Sequence, residues 1–165
     1  MPETAAKTTI RRGLHAVTLQ APASDTATAM QRADRAQAIV DLQTDARFTP
    51  IGHDAGGAYD LHLAVAQSRL MVEVRHADGA PCMIYGLSLG PLRSVVKDYR
   101  MLVDSHEHAL AEGREARIQA IDMGRRGLHD EGAAIVRARL AGKVDVDFPT
   151  ARRLFTLICV LLHRD

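Results

Sequence analysis

Residues 60 to 85 alternate so regularly that their pairing can be written down: Leu61, Leu63 and Val65 fall in step with Leu70, Val72 and Val74, and these with Met83 and Tyr85. A strand shows its side chains to opposite faces in turn, so three runs in step define one apolar face and one polar face. With Gln67 and Ser68 as a two-residue turn, Leu61 opposes Val74, Leu63 opposes Val72 and Val65 opposes Leu70. The other face then sets Asp60 against Arg75 and His62 against Glu73, pairs that tune register at about 0.2 to 1 kcal/mol each. Asp78-Gly79 predicts a type I′ turn, and folding there sets Met83 against Val74 and Tyr85 against Val72. A sheet with one apolar face has to be covered on that face by helices.

The helices are legible around this meander. Leu14 to Leu19 predicts a further strand. Ala29, Met30, Ala33, Ala36, Ile39 and Val40 recur at helical spacing and predict a helix over 26–46. After Gly90-Pro91, the stripe Leu92, Val95, Val96, Tyr99, Leu102, Val103, His106 and Leu110 predicts a helix over 91–112. Ile118, Ile121, Leu128, Ile135 and Val136 continue the period over 114–140, across Gly124, Gly127 and Gly132. Each glycine costs about 1 kcal/mol relative to Ala inside a helix. Gly124, Leu128 and Gly132 fall on one face at four-residue spacing, which points to close approach by another element, and a break near Gly127 is the competing reading. A last helix over 148–163, opened by Asp147 or Thr150 with Pro149, is apolar nearly all round and belongs in the core or in a subunit interface. The expected fold is α+β: an antiparallel sheet of about four strands, a meander with two hairpins, packed by four helices with the C-terminal one largely buried. Residues 1–165 are read as one domain, with 1–12 as a disordered N-terminal arm.

Composition excludes several roles. In 165 residues, 21 Lys and Arg balance 20 Asp and Glu for a net charge of +1, which argues against nucleic acid as a partner because such binders rely on uncompensated cations. The longest apolar run, residues 154–162, is about half of the ~20 residues that span a bilayer, and the basic start has no apolar stretch behind it to make a secretory signal. A cytoplasmic protein with no membrane partner is expected. Cys82 and Cys159 form no CxxC, His106 and His108 lie two apart on a helix, and neither metal nor cofactor is expected.

Two polar constellations remain. In the loop 50–59, His53 and Asp54 stand between glycines; His53 has the chemistry of a general acid or base, and the pair is equally placed to cap a turn. In residues 122–132, Asp122, Arg126 and Asp130 form a four-residue ladder while Arg125 stands over His129. The same guanidiniums beside an imidazole can grip a carboxylate or phosphate. Arg152-Arg153 sits at the start of the last helix, where cations are mismatched to the helix dipole unless an acid or an anion faces them.

Several strings carry a resemblance: Ile39-Val-Asp-Leu, Phe48-Thr-Pro-Ile-Gly-His-Asp, Val95-Val-Lys-Asp-Tyr, residues 118–132, and Asp147-Phe-Pro-Thr-Ala-Arg-Arg-Leu-Phe-Thr-Leu-Ile-Cys. On these the chain resembles the alphaproteobacterial uncharacterised protein family 0262 over nearly all of its length after residue 30. Two departures stand at Asp130, where the family pattern has Asn, and at Leu162-His163, where it has His-Trp. The resemblance implies a soluble, bacterial, cytoplasmic, single-domain protein and implies no activity.

The leading expectation is a non-enzymatic binding or adaptor protein that recognises an anionic small molecule or an acidic protein surface through Arg125, Arg126, His129, Arg152 and Arg153. The rival is a small-substrate enzyme in which His53 and Asp54 move protons while Arg125, Arg126 and His129 orient an anionic substrate. A third reading is a structural homodimer joined through the C-terminal helix, without ligand. The first two gain most if His53 and the later arginines converge on one hollow.

Overall fold

The computed structural model describes residues 13–20, 28–53 and 58–162. The expected N-terminal arm 1–12, with its Arg11-Arg12 pair, and Asp54 lie outside the described residues. The elements run β1 (Leu14–Leu19), α1 (Ala29–Asp45), β2 (Phe48–Pro50), β3 (Tyr59–Ala66), β4 (Arg69–His76), β5 (Pro81–Ser88), α2 (Gly90–Glu112), α3 (Glu115–Leu140), β6 (Val144–Val146) and α4 (Phe148–Leu161).

The hairpins hold the register that alternation demands. Leu61, Leu63 and Val65 face Val74, Val72 and Leu70, and Val74 and Val72 face Met83 and Tyr85. Gln67 and Ser68 both take positive φ, 52° and 61°, the backbone of a two-residue hairpin turn. The second turn differs from the expected type I′: Gly79 alone is left-handed, with φ 89°. The His76 amide bonds Ala80 O, the Gly79 amide bonds His76 O, and Asp78 Oδ1 accepts from the Ala80 amide. A three-residue loop closes this way, and the shift between Val74 and Arg75 restores the pairing beyond it.

β1 joins the meander as a parallel neighbour of β3, giving a mixed, mostly antiparallel sheet in the order β1-β3-β4-β5. Two short strands that alternation is too brief to show, β2 and β6, pair antiparallel beside it, Phe48 with Val146 and Pro50 with Val144. On the polar face the expected cross-strand charge pairs give way to nearer partners. Arg75 bonds Glu73 on its own strand, Asp60 bonds His15, and His62 bonds Thr18.

Leu61, Leu63, Leu70, Val72 and Leu87 share an apolar interior with Leu92 of α2, Val136 and Leu140 of α3, and Leu154 and Ile158 of α4. Capping starts the outer helices. Thr28 and Gln31 form a reciprocal capping box on α1, and Asp147 accepts from the Thr150 amide at the start of α4. Thr150 Oγ1 in turn accepts from the Arg47 amide and ties β2 to α4. Gly113, at φ 67°, ends α2 in the left-handed conformation that closes its last carbonyls.

α1 lies with a different face inward from the one its apolar spacing indicates. Gln31, Ala38 and Leu42 are buried, while Ala29, Ala33, Ala36 and Val40 are exposed. α4 is buried along its length, from Ala151 through Leu154, Phe155, Leu157, Ile158 and Cys159 to Leu162. Most of its apolar side chains are therefore already covered by the chain's own core, leaving the exposed Phe148 and the half-buried Val160 and Leu161 for any contact between copies.

α3 runs unbroken through its glycines. A Cβ on Gly132 would stand 2.3 Å from the ring of Phe155, and one on Gly124 would stand 3.4 Å from Leu102. Replacing Gly132 by Ala is expected to lose about 1 to 3 kcal/mol because Phe155 is fully buried and has nowhere to move. Gly127→Ala, in open space, is expected to gain up to about 1 kcal/mol. Urea unfolding of the two variants checks both signs.

Candidate functional site

The densest polar contact in the molecule is built around Asp34, an α1 side chain on the turn before the buried Ala38. An aspartate so placed has to be paired. Its Oδ2 accepts from the Tyr99 hydroxyl of α2 at 3.0 Å and from Arg125 of α3 at 2.9 Å, and its Oδ1 from the same guanidinium nitrogen at 3.1 Å. Three helices thus meet on one carboxylate. Asp122, one turn before Arg125, adds a longer contact of 3.9 Å.

His129 stacks beside this group. Its ring lies 5.1 Å from that of Tyr99 and 5.7 Å from that of Phe155, which brings α4 into the same cluster. Among the described residues, His129 Nε2 and Arg125 Nε are buried without a hydrogen-bond partner. Burial, reinforced by the nearby Arg125 charge, pushes the His129 imidazole down to about 4, so it is neutral at physiological pH. Burial pushes the Tyr99 hydroxyl up, and the Asp34 charge adds to that, so it stays a donor. Burial opposes the charge on Arg125, and Asp34 more than offsets it.

Two of the other arginines expected to bind an anion, Arg152 and Arg153, are also engaged. Arg152 Nε lies 3.2 Å from Asp130 and Arg153 Nε 3.3 Å from Asp41. Their mismatch with the dipole at the start of α4 is answered by acids of the same chain. The four-residue ladder on α3 is not formed, because Asp122 turns to Arg125 and Asp130 to Arg152. Arg126 is exposed and makes no ion pair among the described residues.

His53 stands elsewhere. Its carbonyl accepts from the Tyr59 hydroxyl at 2.7 Å, its amide bonds Pro50 O, and its side chain is exposed. The Ile51 amide bonds Lys143 O, beyond the C-terminal end of α3. Proton transfer needs about 3 Å or one bridging water. No hydrogen bond, ion pair or ring contact among the described residues joins His53 to His129 or to Arg125. No group of three or more His, Cys, Asp or Glu among the described residues is arranged to hold a metal.

The clasp itself uses two residues that sequence reasoning passed over, Asp34 and Tyr99. Tyr99 was legible as core. Asp34 was hidden because the apolar spacing of α1 points to a different face; the usable signal was an acid one turn before Ala38 and two before Leu42.

The family model described as an uncharacterised protein family (UPF0262) matches residues 11–164. The chain belongs to this family. Similar family members include the UPF0262 protein of Acidiphilium cryptum, 53% identical over 94% of this chain and 95% of its own length. That of Granulibacter bethesdensis is 50% identical over 82% and 81%, and that of Bradyrhizobium diazoefficiens is 52% identical over 78% of each. No solved structure matches. The UPF0262 strings around Ile39, Val95-Tyr99, 118–132 and 147–159 lie in the four helices that meet at the clasp.

Asp34→Ala is expected to leave Arg125 and Tyr99 unsatisfied in a partly buried site and to cost about 2 kcal/mol by urea unfolding. His129 supplies a pH signature. An unfolded imidazole binds a proton near 6.5 while the folded one waits until about 4, so stability is complete above 6.5 and falls as pH drops from 6.5 to 4. The loss amounts to roughly 2 to 3 kcal/mol. His129→Asn should flatten that part of the stability–pH curve relative to the wild type.

Proposed function

We propose that this UPF0262 protein is a non-enzymatic binding protein for an anionic ligand or an acidic patch on a partner. The cations that do the binding are those of α2 in place of the paired arginines of α3 and α4. Arg125, Arg152 and Arg153 would each have to release Asp34, Asp130 or Asp41 to take an anion. Arg93 and Lys97 would release nothing, since both are exposed and neither has an ion-pair partner among the described residues.

The observation that carries this reading is an open hollow of about 290 Å³ lined by Arg93, Val96, Lys97, Arg100 and Leu162. Among the described residues no acidic side chain lines it. Arg93, Lys97 and Arg100 recur at four- and three-residue spacing on one helix face, and Arg100 is held at the rim by its bond to the Leu162 carbonyl. The first turn of α2 carries no acid, so the positive end of the helix dipole adds to the three side chains. Arg93 and Lys97, one turn apart, repel one another until a phosphate or carboxylate joins them, and a guanidinium grips such a group with paired donors. Both cysteines are free thiols, which fits a cytoplasmic protein, and no helix among the described residues is long and apolar enough to cross a membrane.

Thermal shift and calorimetry with pyrophosphate, citrate and a polyglutamate peptide test the proposal. Ligand at about 100 times Kd stabilises by about 2.7 kcal/mol, a shift of several degrees in Tm. The shift is expected to shrink with added KCl, to vanish in Arg93→Ala/Lys97→Ala and to persist in Arg126→Ala. Absence of binding by all three probes, or binding indifferent to the double variant, would sink it.

A further inference from the structure

Two of the three glycines inside α3 are accounted for by their neighbours, Gly132 by Phe155 and Gly124 by Leu102. Gly127 is not. Its φ is not positive, it is exposed, and a Cβ there would meet nothing within 4 Å. Nothing among the described residues calls for a glycine in the middle of a 26-residue helix, where it is the poorest choice short of proline. One turn earlier on the same face stands Met123, 74% exposed and more so than any other large hydrophobic side chain among the described residues. Met101, 60% exposed, is on α2 next to Leu102, which packs against Gly124, so a second thioether lies at the same level.

We propose that this face of α3 is the contact between two copies of the chain, crossing antiparallel about a two-fold axis, with Met123 of each copy seated over Gly127 of the other. A two-fold contact requires that if residue i meets j, then j meets i. A protruding methionine and a side-chain-free notch one helical turn apart satisfy that condition on a single surface. Methionine suits the role because its flexible thioether fills irregular gaps.

Charge argues for a second copy as the occupant and for its direction. Arg117 and Glu131 are both exposed, neither has an ion-pair partner among the described residues, and they stand on the same flank of the helix at opposite ends of the face. An antiparallel crossing brings Arg117 of each copy to Glu131 of the other, whereas a parallel one sets like against like. The midpoint of Arg117 and Glu131 is Gly124, and that of Met123 and Gly127 is Arg125. Two independent pairings therefore place the axis within about 1.5 Å of each other along the helix.

Analytical ultracentrifugation of the full chain, from low micromolar to submillimolar concentration, tests the contact. The wild type is expected to show a reversible monomer–dimer equilibrium, and Met123→Lys to weaken it at least about tenfold. Arg117→Glu and Glu131→Arg should each weaken it, and the two together should restore it. Gly127→Ala should raise Tm under monomeric conditions while weakening the dimer, opposite signs that a purely local role would not produce. All four positions are exposed, so the variants should fold, which circular dichroism verifies. A wild type that stays monomeric throughout, or a dimer indifferent to Met123→Lys and to the charge exchange, overturns the proposal. The second result would assign the face to another occupant.

Discussion

The apolar face of the β3–β4–β5 meander is the surface on which everything else is assembled. Leu61, Leu63, Leu70, Val72, Val74 and Leu87 are nearly inaccessible to water, and they become so because α2, α3 and α4 are laid over them. Burying one such side chain contributes about 1.5 to 3 kcal/mol, so the helices have little choice of where to lie. With aromatics at 4% and no tryptophan, the interior is filled by aliphatic side chains. Phe48, Tyr59, Tyr99 and Phe155 are buried aromatic exceptions, and Phe155 packs on α3 where Gly132 leaves room for its ring.

A second, polar constraint fixes how the helices are arranged around that face. Asp34 receives Tyr99 and Arg125, Arg152 finds Asp130, and Arg153 finds Asp41. Each contact joins two different helices, so the charges act as keys between elements more than as a solvated coat. Half-buried ion pairs are weak evidence for stability in themselves, since desolvation offsets much of their attraction. Their directional bonds do discriminate against alternative packings of helices whose apolar stripes are broad. The near-neutral net charge is consistent with this pairing, and Arg93 and Lys97 of α2 are exposed with no ion-pair partner among the described residues.

How legible each part was follows from the range of the interactions that decide it. The hairpin registers come from period-two alternation over eight residues, a local pattern with one solution. The type of the second turn was missed because Asp-Gly serves both a two-residue turn and the last two positions of a three-residue one. β2 and β6 have three residues each, too few for a pattern. On α1 the small residues spread around the helix, so the buried face was chosen by Asp34 and Leu42 meeting their partners, and alanine spacing had no say. The arginine pairs stood out as cations at unfavourable or crowded positions, but their aspartates lie as far as 91 to 112 residues away in the chain.

Strand register, helix extents, the buried character of α4 and the family are written in short-range patterns of side chains, because alternation, period and capping each depend on residues a few positions apart. Which charges are neutralised, which glycines have neighbours and which cations stay open to solvent depend on helices brought together across the sheet. Only the folded chain decides these: an arginine reads the same in sequence whether an aspartate three helices away faces it or water does.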